Sequence, residues 1–187
     1  MNEELVDVVN SSTGLPIGEK VTKNIAHDKG IWHLAAHIWI YNSRGEILLQ
    51  FRSKQKKLFP SLWDISVAGH IGAGEEALTC AIREMKEEIG LSVKPSDLEK
   101  VFTFKFSVSA NDNMQNNEVC SVFLFKYDGL AKDLVLQKEE VEKVKFFSID
   151  FLKKEFSNTK HAGHYLLPRN LSVPRVFELV KERTKQN

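Results

Sequence analysis

A glycine-rich loop followed by a cluster of glutamates constrains this chain more than any other feature. Residues 69–74 read Gly-His-Ile-Gly-Ala-Gly, and Glu84, Glu87 and Glu88 place three carboxylates within five residues shortly afterwards. If residues 76–89 form a helix, steps of three and four residues bring these carboxylates onto one face. Like charges at this spacing cost a helix about 0.2–0.5 kcal/mol per pair, so we expect a cation between them.

The same segment carries apolar residues on a neighbouring stripe, which predicts that this side of the helix faces a core. They are Leu78, Ala81, Ile82, Met85 and Ile89. Carboxylate oxygens suit a hard ion such as Mg²⁺ or Mn²⁺. The residues alone leave a second interpretation open, in which the glutamates form a solvated acidic face without an ion.

The spacing of the residues around this cluster resembles a complete Nudix box. Gly69 is followed after five residues by Glu75 and after seven more by Arg83-Glu84-Met85; Glu87-Glu88 and Gly90-Leu91 follow at intervals of one residue. All fixed positions of this 23-residue pattern are filled. The chain is therefore identified as similar to the Nudix hydrolase superfamily, which favours a metal site over a solvated face.

The resemblance implies an enzyme that cleaves a diphosphate joining a nucleoside to another moiety, by attack of water at phosphorus. It implies Glu84, Glu87 and Glu88 as ligands of Mg²⁺ or Mn²⁺, with the Gly69 carbonyl as an additional donor. Such an ion neutralises the phosphates and lowers the pKa of the attacking water.

Arg83 is implied to be a catalytic residue that holds a carboxylate, such as that of Glu75, in place. Its planar fork of donors matches the geometry of a carboxylate. The alternative that the residues leave open is an ordinary ion pair on a helix surface, worth under about 1 kcal/mol.

Residues on both sides of the box resemble type I isopentenyl-diphosphate isomerase, a relative within the same superfamily. The resemblance covers roughly residues 25–150. It rests on His27, His33-Leu34-Ala35, Arg52, Lys56-Lys57, Pro60, Gly69-His70 and Asn117-Glu118-Val119-Cys120. In that family, histidines and strand glutamates bind a metal, while a cysteine and one glutamate move the protons.

Two departures argue against isomerase chemistry. The catalytic Cys-Gly-His triplet here reads Ala68-Gly69-His70, and a methyl group can neither donate nor accept a proton. Isomerases typically lose the first two metal carboxylates, whereas Glu84 and Glu87 are present, and Asn116 stands where the first strand glutamate is expected. We predict a hydrolase; an isomerase and a catalytically silent, ligand-binding Nudix module are the alternatives.

Further candidate residues lie outside the box. Glu118 is a candidate general base, because its strand should pass near the metal helix. Arg52 and Lys56 are candidate contacts for substrate phosphates, and His33 and His70 are candidate substrate contacts. An edge-strand glutamate, a generic basic loop and structural histidines are the alternatives, and whether the histidines bind a metal is left open.

Length and apolar patterning predict a single α+β domain, since 187 residues are enough for one substantial core. Alternating apolar residues over 32–42 and 101–108 predict strands, and the polar segments 24–30 and 110–116 are expected to be loops. With the resemblance, the expectation is a Nudix-type α/β/α sandwich around a mixed sheet. The expected parts are an N-terminal hairpin over 1–26, a core over 27–156, and a C-terminal loop and helix over 157–187, with the helix after Pro174.

Charge and cysteine content limit the expected partners. The net charge of +1 gives no electrostatic case for binding nucleic acid or a membrane. Cys80 and Cys120 are too few for a disulfide framework, and neither a signal peptide nor an apolar run of membrane-spanning length is expected. We expect a cytoplasmic enzyme acting on a small-molecule diphosphate. Its oligomeric state is open, with a homodimer among the outcomes.

Overall fold

The computed structural model of this protein describes residues 3–111, 114–167 and 172–185. Within these ranges the chain forms strands and α-helices in the following order. They are β1 (Leu5–Val9), β2 (Pro16–Thr22), α1 (Lys23–Asp28), β3 (His33–Tyr41), β4 (Glu46–Arg52), β5 (Trp63–Asp64), β6 (Val67–His70), α2 (Ala77–Ile89), β7 (Glu99–Asn111), β8 (Met114–Lys126), β9 (Val141–Ser148), α3 (Ile149–Ser157) and α4 (Ser172–Lys185).

A mixed sheet forms the centre of the molecule. Its path runs β5-β4-β3-β8-β7, with β6 paired to β3 and β9 paired to β4. Only the pairing of β3 with β8 is parallel among the described strands; the other pairings are antiparallel. The predicted α+β fold with a mixed sheet is therefore confirmed.

Strand β3 separates two hydrophobic clusters, because successive side chains of a strand point to opposite faces. Ile38 and Ile40 join the cluster that contains Met85 of α2. Trp39 joins the cluster that contains Val176 and Phe177 of α4. Helices thus cover both faces of the sheet in an α/β/α arrangement, and β3 is buried along nearly its whole length.

Helix α2 begins one residue later than the predicted 76–89 segment, because Glu76 has extended backbone and acts as the N-cap. It ends at Gly90, which has a φ of 73° in the left-handed region that glycine adopts without strain. Of the predicted apolar stripe, Ala81, Met85 and Ile89 are fully buried. The predicted amphipathic helix is therefore present, and its glutamates Glu84, Glu87 and Glu88 line a cavity beside this core.

Two segments expected to be loops are regular structure instead. Residues 24–30 lie largely in α1, whose first turn is capped by Thr22: its Oγ1 accepts a hydrogen bond of 3.4 Å from the Ile25 amide. Across 110–116, β7 and β8 continue as one hairpin with Ser109 paired to Gln115, because ladder pairing outweighs weak strand propensity. Residues 112–113 of that predicted loop lie outside the described residues.

The C-terminal part differs in detail from the expected loop and helix. A short 3₁₀ helix occupies Ala162–His164 within the predicted 157–169 loop, while residues 168 and 169 lie outside the described residues. Helix α4 begins at Ser172 rather than after Pro174. Proline is tolerated there because the first turn of a helix needs no backbone donor. No helix among the described residues combines the length and apolar character needed to cross a membrane.

The predicted N-terminal hairpin is present as a separate two-stranded sheet. It is attached to the glycine loop: the Ala73 amide donates to the Leu5 carbonyl at 2.8 Å, and the Gly74 amide donates to the Asp7 carboxylate at 2.7 Å. The hairpin therefore lies directly against the segment that precedes α2.

Candidate active site

A cavity of about 860 Å³ lies beside the glutamate face of α2 and collects most of the predicted site residues. Nine of the ten line it, namely Arg52, Lys56, Gly69, His70, Arg83, Glu84, Glu87, Glu88 and Glu118. The tenth, His33, is fully buried behind the wall. The fold thus brings together residues from the glycine loop, α2, β8 and the loop after β4.

The three α2 glutamates form a gradient from solvent into the protein. The Glu87 side chain is half exposed, and the Glu84 side chain keeps 12% of its exposure. Glu88 is buried at 5%. Of the three carboxylates that could hold an ion, Glu87 therefore lies on the solvent side and Glu88 on the side of the protein interior.

Gly69 is required for the position of Glu84. A β-carbon added at Gly69 would overlap the Glu84 carboxyl group, so any other residue there would displace it. Burial raises the pKa of Glu84, although Arg83 opposes this effect. The Glu84 carboxylate is consequently held tightly against the glycine loop.

Arg83 connects the loop to the helix, as the predicted ion pair with Glu75 requires. Its Nε and Nη2 donate to the two Glu75 oxygens, both at 3.0 Å. Its Nη1 donates to Glu84 at 2.6 Å and to Glu87 at 3.2 Å. Glu75 in turn accepts a 2.9 Å hydrogen bond from the Gly72 amide. Burial raises the pKa of Glu75, but the bonds from Arg83 and Gly72 lower it overall.

Glu88 is a buried carboxyl group with two negative neighbours, Glu84 and Glu140, and two positive ones, Lys56 and Arg52. Burial and the nearby Glu84 carboxylate raise its pKa to about 8. Gln50, itself only 2% exposed, donates its amide to Glu88 Oε2 at 3.1 Å. This buried contact across the sheet was not predicted from the sequence.

The loop after β4 supplies positive charge on the opposite side of the cavity. Lys56 pairs with Glu140 from the turn before β9, so its ammonium group lies at the edge of the glutamate site. Arg52 is used differently: its guanidinium donates to the carbonyls of Leu58 and Phe59 at 2.8 and 2.9 Å. It also donates to Asp64 at 3.0 Å. The geometry favours loop stabilisation over phosphate contact for Arg52.

Three histidines from separate elements converge beside the glycine loop. The ring centroids of His27, His33 and His70 lie 5.1–5.3 Å apart, and the Nε2 atoms of His27 and His70 are 3.2 Å apart. Nδ1 of His33 contacts the Ile31 carbonyl at 2.8 Å, which leaves its buried Nε2 as the lone-pair atom. One nitrogen from each ring falls within the spacing of metal ligands.

Glu118 of β8 lies between this cluster and His37. Its oxygens are 3.4 Å from His70, 3.6 Å from His37 and 4.0 Å from His33. Burial raises the pKa of Glu118, but hydrogen bonds from His37 and His70 outweigh burial and hold the pKa well below its ordinary value. Burial and the nearby His70 and His33 lower the pKa of His27 to about 4.

Neither cysteine replaces the missing proton donor at Ala68. Ala68 lines the cavity and lies opposite His37 in the pairing of β6 with β3. Cys80 and Cys120 are both completely buried, and burial raises the pKa of each thiol. The structure therefore supports the argument against isomerase chemistry.

Several residues that line the cavity were not predicted from the sequence. Glu4, Lys23 and Asn24 come from the N-terminal hairpin and α1, and His37 comes from the middle of β3. A signal for His37 was available, because it lies four residues after His33 and so on the same face of a strand. Glu4 and Lys23 pair at 2.8 Å, and no local pattern identifies them.

Comparison with known proteins gives a consistent result. A family model described as NUDIX domain matches residues 31–167. Nudix hydrolase 3 of Arabidopsis thaliana is 33% identical over 191 aligned residues, covering all of this chain but only 24% of the relative. An uncharacterized Nudix hydrolase of Clostridium acetobutylicum is 31% identical, covering 84% of this chain and 76% of the relative.

Two further similarities concern the isomerase and the fold. Isopentenyl-diphosphate Delta-isomerase of Escherichia coli is 33% identical over 125 residues, or 66% of each chain. The crystal structure of DR0079 from Deinococcus radiodurans superimposes with a TM-score of 0.65 at 19% identity, covering 96% of this chain and 98% of that one. That likeness concerns the fold alone.

Proposed function

This chain belongs to the NUDIX domain family, and on that basis we propose that it is a Mg²⁺-dependent hydrolase, with Mn²⁺ as an alternative ion. The proposed reaction cleaves the phosphoanhydride bond of a nucleoside diphosphate derivative or a related small diphosphate. The observation that carries the proposal is the convergence of Glu84, Glu87 and Glu88 on one cavity. Neither nucleic acid nor a membrane is a partner in this proposal.

The residues fit a hard divalent ion in chemistry and in charge. The three α2 glutamates offer carboxylate oxygens, which Mg²⁺ prefers, and the Gly69 carbonyl is an additional oxygen. Burial and, after it, the Glu84 carboxylate raise the pKa of Glu88, and a cation bound beside these carboxylates would favour their ionised forms. When bound, such an ion neutralises the phosphates and activates water for attack at phosphorus.

The remaining residues hold the site together. Arg83 orients Glu84 and Glu87 while its fork stays on Glu75. Lys56 places positive charge where the substrate phosphates would lie. Because Glu118 has a pKa well below the ordinary value, it is a weak base. In this proposal it orients His70 and does not act as the general base.

The test is release of phosphate-containing products from a panel of small diphosphates, with Mg²⁺ or Mn²⁺ added. The panel comprises nucleoside diphosphate derivatives, dinucleoside polyphosphates and isoprenoid diphosphates. We expect turnover by the wild type and its loss in Glu87→Gln, a half-exposed position that is not needed for folding. Glu178→Gln, an exposed change on α4, is the matched control. Undiminished turnover in Glu87→Gln would refute the assignment.

An isomerase is the second candidate, because the three histidines and Glu118 converge and an isomerase relative is 33% identical. Isomer exchange of isopentenyl diphosphate by the wild type would establish this activity despite Ala68. We expect no exchange. Tight binding of a panel member without any turnover would instead indicate a silent binding module.

A further inference from the structure

Two non-glycine residues of the loop after β4 adopt left-handed backbone. Phe59 has a φ of 51° and Ser61 a φ of 57°. Positive φ is uncommon outside glycine, and for a bulky residue it is an outlier that strains the backbone. Phe59 also precedes Pro60, which itself restricts the backbone of the preceding residue. Such strain persists only when the surroundings enforce it.

Arg52 enforces this conformation from inside the loop. Its side chain, 13% exposed, donates to the carbonyls of Leu58 and Phe59 and is fixed from behind by Asp64. Its backbone carbonyl accepts a 3.3 Å hydrogen bond from the Ser61 amide. The strained segment is therefore anchored on both sides by one arginine.

Packing in the core does not explain the strain at Phe59. Phe59 belongs to neither hydrophobic cluster and lines the cavity instead. Other apolar residues line the same cavity. They are Ala35, Leu58, Ala68, Phe106, Val108 and Leu166. Strain kept at a cavity wall points to function.

We propose that Phe59 is a specificity-determining residue that packs against the organic group of the diphosphate substrate. The inference rests on the proposed function, which places the diphosphate at the α2 glutamates. An aromatic residue among other apolar lining residues suits a flat or branched apolar group. A nucleobase and an isoprenoid chain share this chemistry, and the experiment separates them.

The test measures binding by calorimetry with Mg²⁺ present, using ADP, isopentenyl diphosphate and inorganic pyrophosphate. Wild type is expected to bind at least one organic diphosphate more tightly than pyrophosphate. Phe59→Ala is expected to weaken that ligand at least tenfold and pyrophosphate less than twofold. Loss confined to ADP indicates a nucleobase, and loss confined to isopentenyl diphosphate indicates an isoprenoid group.

Ser61→Gly is the matched control, because it relieves the second left-handed residue without removing a cavity side chain. It should leave all three affinities unchanged. Phe59→Gly removes the ring and the strain together, so its Tm should exceed that of Phe59→Ala by roughly 2–6 °C. Equal Tm values for these two variants would indicate that the backbone at position 59 is not strained, and the inference would lose that support.

Three binding outcomes overturn the inference. They are equal weakening of pyrophosphate, unchanged affinity for both organic ligands, and a wild type that does not prefer an organic ligand. Binding and phosphate release are separate measurements, so a protein that binds as expected but releases no phosphate would refute the hydrolase assignment and leave the role of Phe59 intact.

Discussion

Glu88 on α2 and Glu118 on β8 are buried to almost the same extent, 5% and 6% exposed, yet their pKa values move in opposite directions. Burial and Glu84 raise the pKa of Glu88 to about 8. Burial acts the same way on Glu118, but His37 and His70 lower its pKa well below the ordinary value. Burial raises the pKa of both carboxyl groups, so the different partners of Glu88 and Glu118 explain why the two pKa values move in opposite directions.

This contrast separates two kinds of acidic site in one cavity. The α2 glutamates are paired with a cation only in part, through the contacts of Arg83 with Glu84 and Glu87, and in the proposed function they bind an added divalent ion. Glu118 already has imidazoles around it and is ionised without one. The expected effects of substitution differ accordingly, and the predictions below test this difference.

The largest expected effect is at the α2 site. Glu88→Gln should lower phosphate release on the order of 100-fold or more, because even outer partners of a metal ligand contribute 10–100-fold. Mg²⁺ affinity, measured by calorimetry, should fall with it. Glu118→Gln should leave Mg²⁺ affinity unchanged and lower the Tm, because glutamine replaces one of the two acceptor oxygens that face His37 and His70 with an NH₂ donor. Equal loss of Mg²⁺ affinity in Glu88→Gln and Glu118→Gln would show that the two carboxylates do not differ in their contribution to metal binding.

Arg83→Lys should lower phosphate release roughly 10–100-fold, since lysine cannot reproduce the fork on Glu75 while also reaching Glu84. Steady-state kinetics on the best panel substrate measure this. Arg44→Lys is the control: the Arg44 side chain is 72% exposed and pairs with Glu46, so activity should be unchanged. Wild-type activity in Arg83→Lys would show that a single positive charge suffices.

Metal-free protein should lose stability as pH rises. The folded pKa of Glu88 is raised to about 8 from 4.5, so its contribution is fully present below 4.5 and lost as pH rises through 8. Between pH 6 and 9, Tm should fall by roughly 5 °C more in wild type than in Glu88→Gln. Thermal melts in a chelating buffer measure this. Identical pH profiles would assign the raised pKa to another group.

Lys56→Gln should have the smallest effect. Lys56 lowers the pKa of Glu88, so its removal should raise that pKa further and move the pH dependence of Mg²⁺ binding to higher pH. Calorimetry against pH measures the shift. Lys57→Gln is the control, because it changes the same loop without removing the pair with Glu140. Equal shifts in both variants would indicate that the positive charge of the loop as a whole acts on Glu88, and not Lys56 in particular.

Much of the α2 site was predictable because its determinants are local. The spacing of Glu84, Glu87 and Glu88 places them on one helix face, and helical periodicity is independent of the rest of the fold. The Arg83–Glu75 pair followed from the resemblance to the Nudix box, which contains both residues. The mixed sheet followed from strand patterning together with the family resemblance.

Other parts of the site were not predictable because they depend on distant contacts. Gln50 and Glu88 are 38 residues apart, and Glu4 enters the cavity only because the hairpin attaches to the glycine loop. The positive charge of Arg52 made it a reasonable candidate contact for a substrate phosphate. Its donors are taken by Leu58, Phe59 and Asp64, which only the path of the loop reveals.

The sequence by itself determined which residues can carry the chemistry: three glutamates at helical spacing, a glycine loop before them, and alanine where a proton-donating cysteine would be needed. Tertiary structure alone decided the charge state and the use of each group. The physical reason is that side-chain identity and local periodicity depend only on the order of residues along the chain. Desolvation and Coulomb interactions depend on neighbours that only folding brings together.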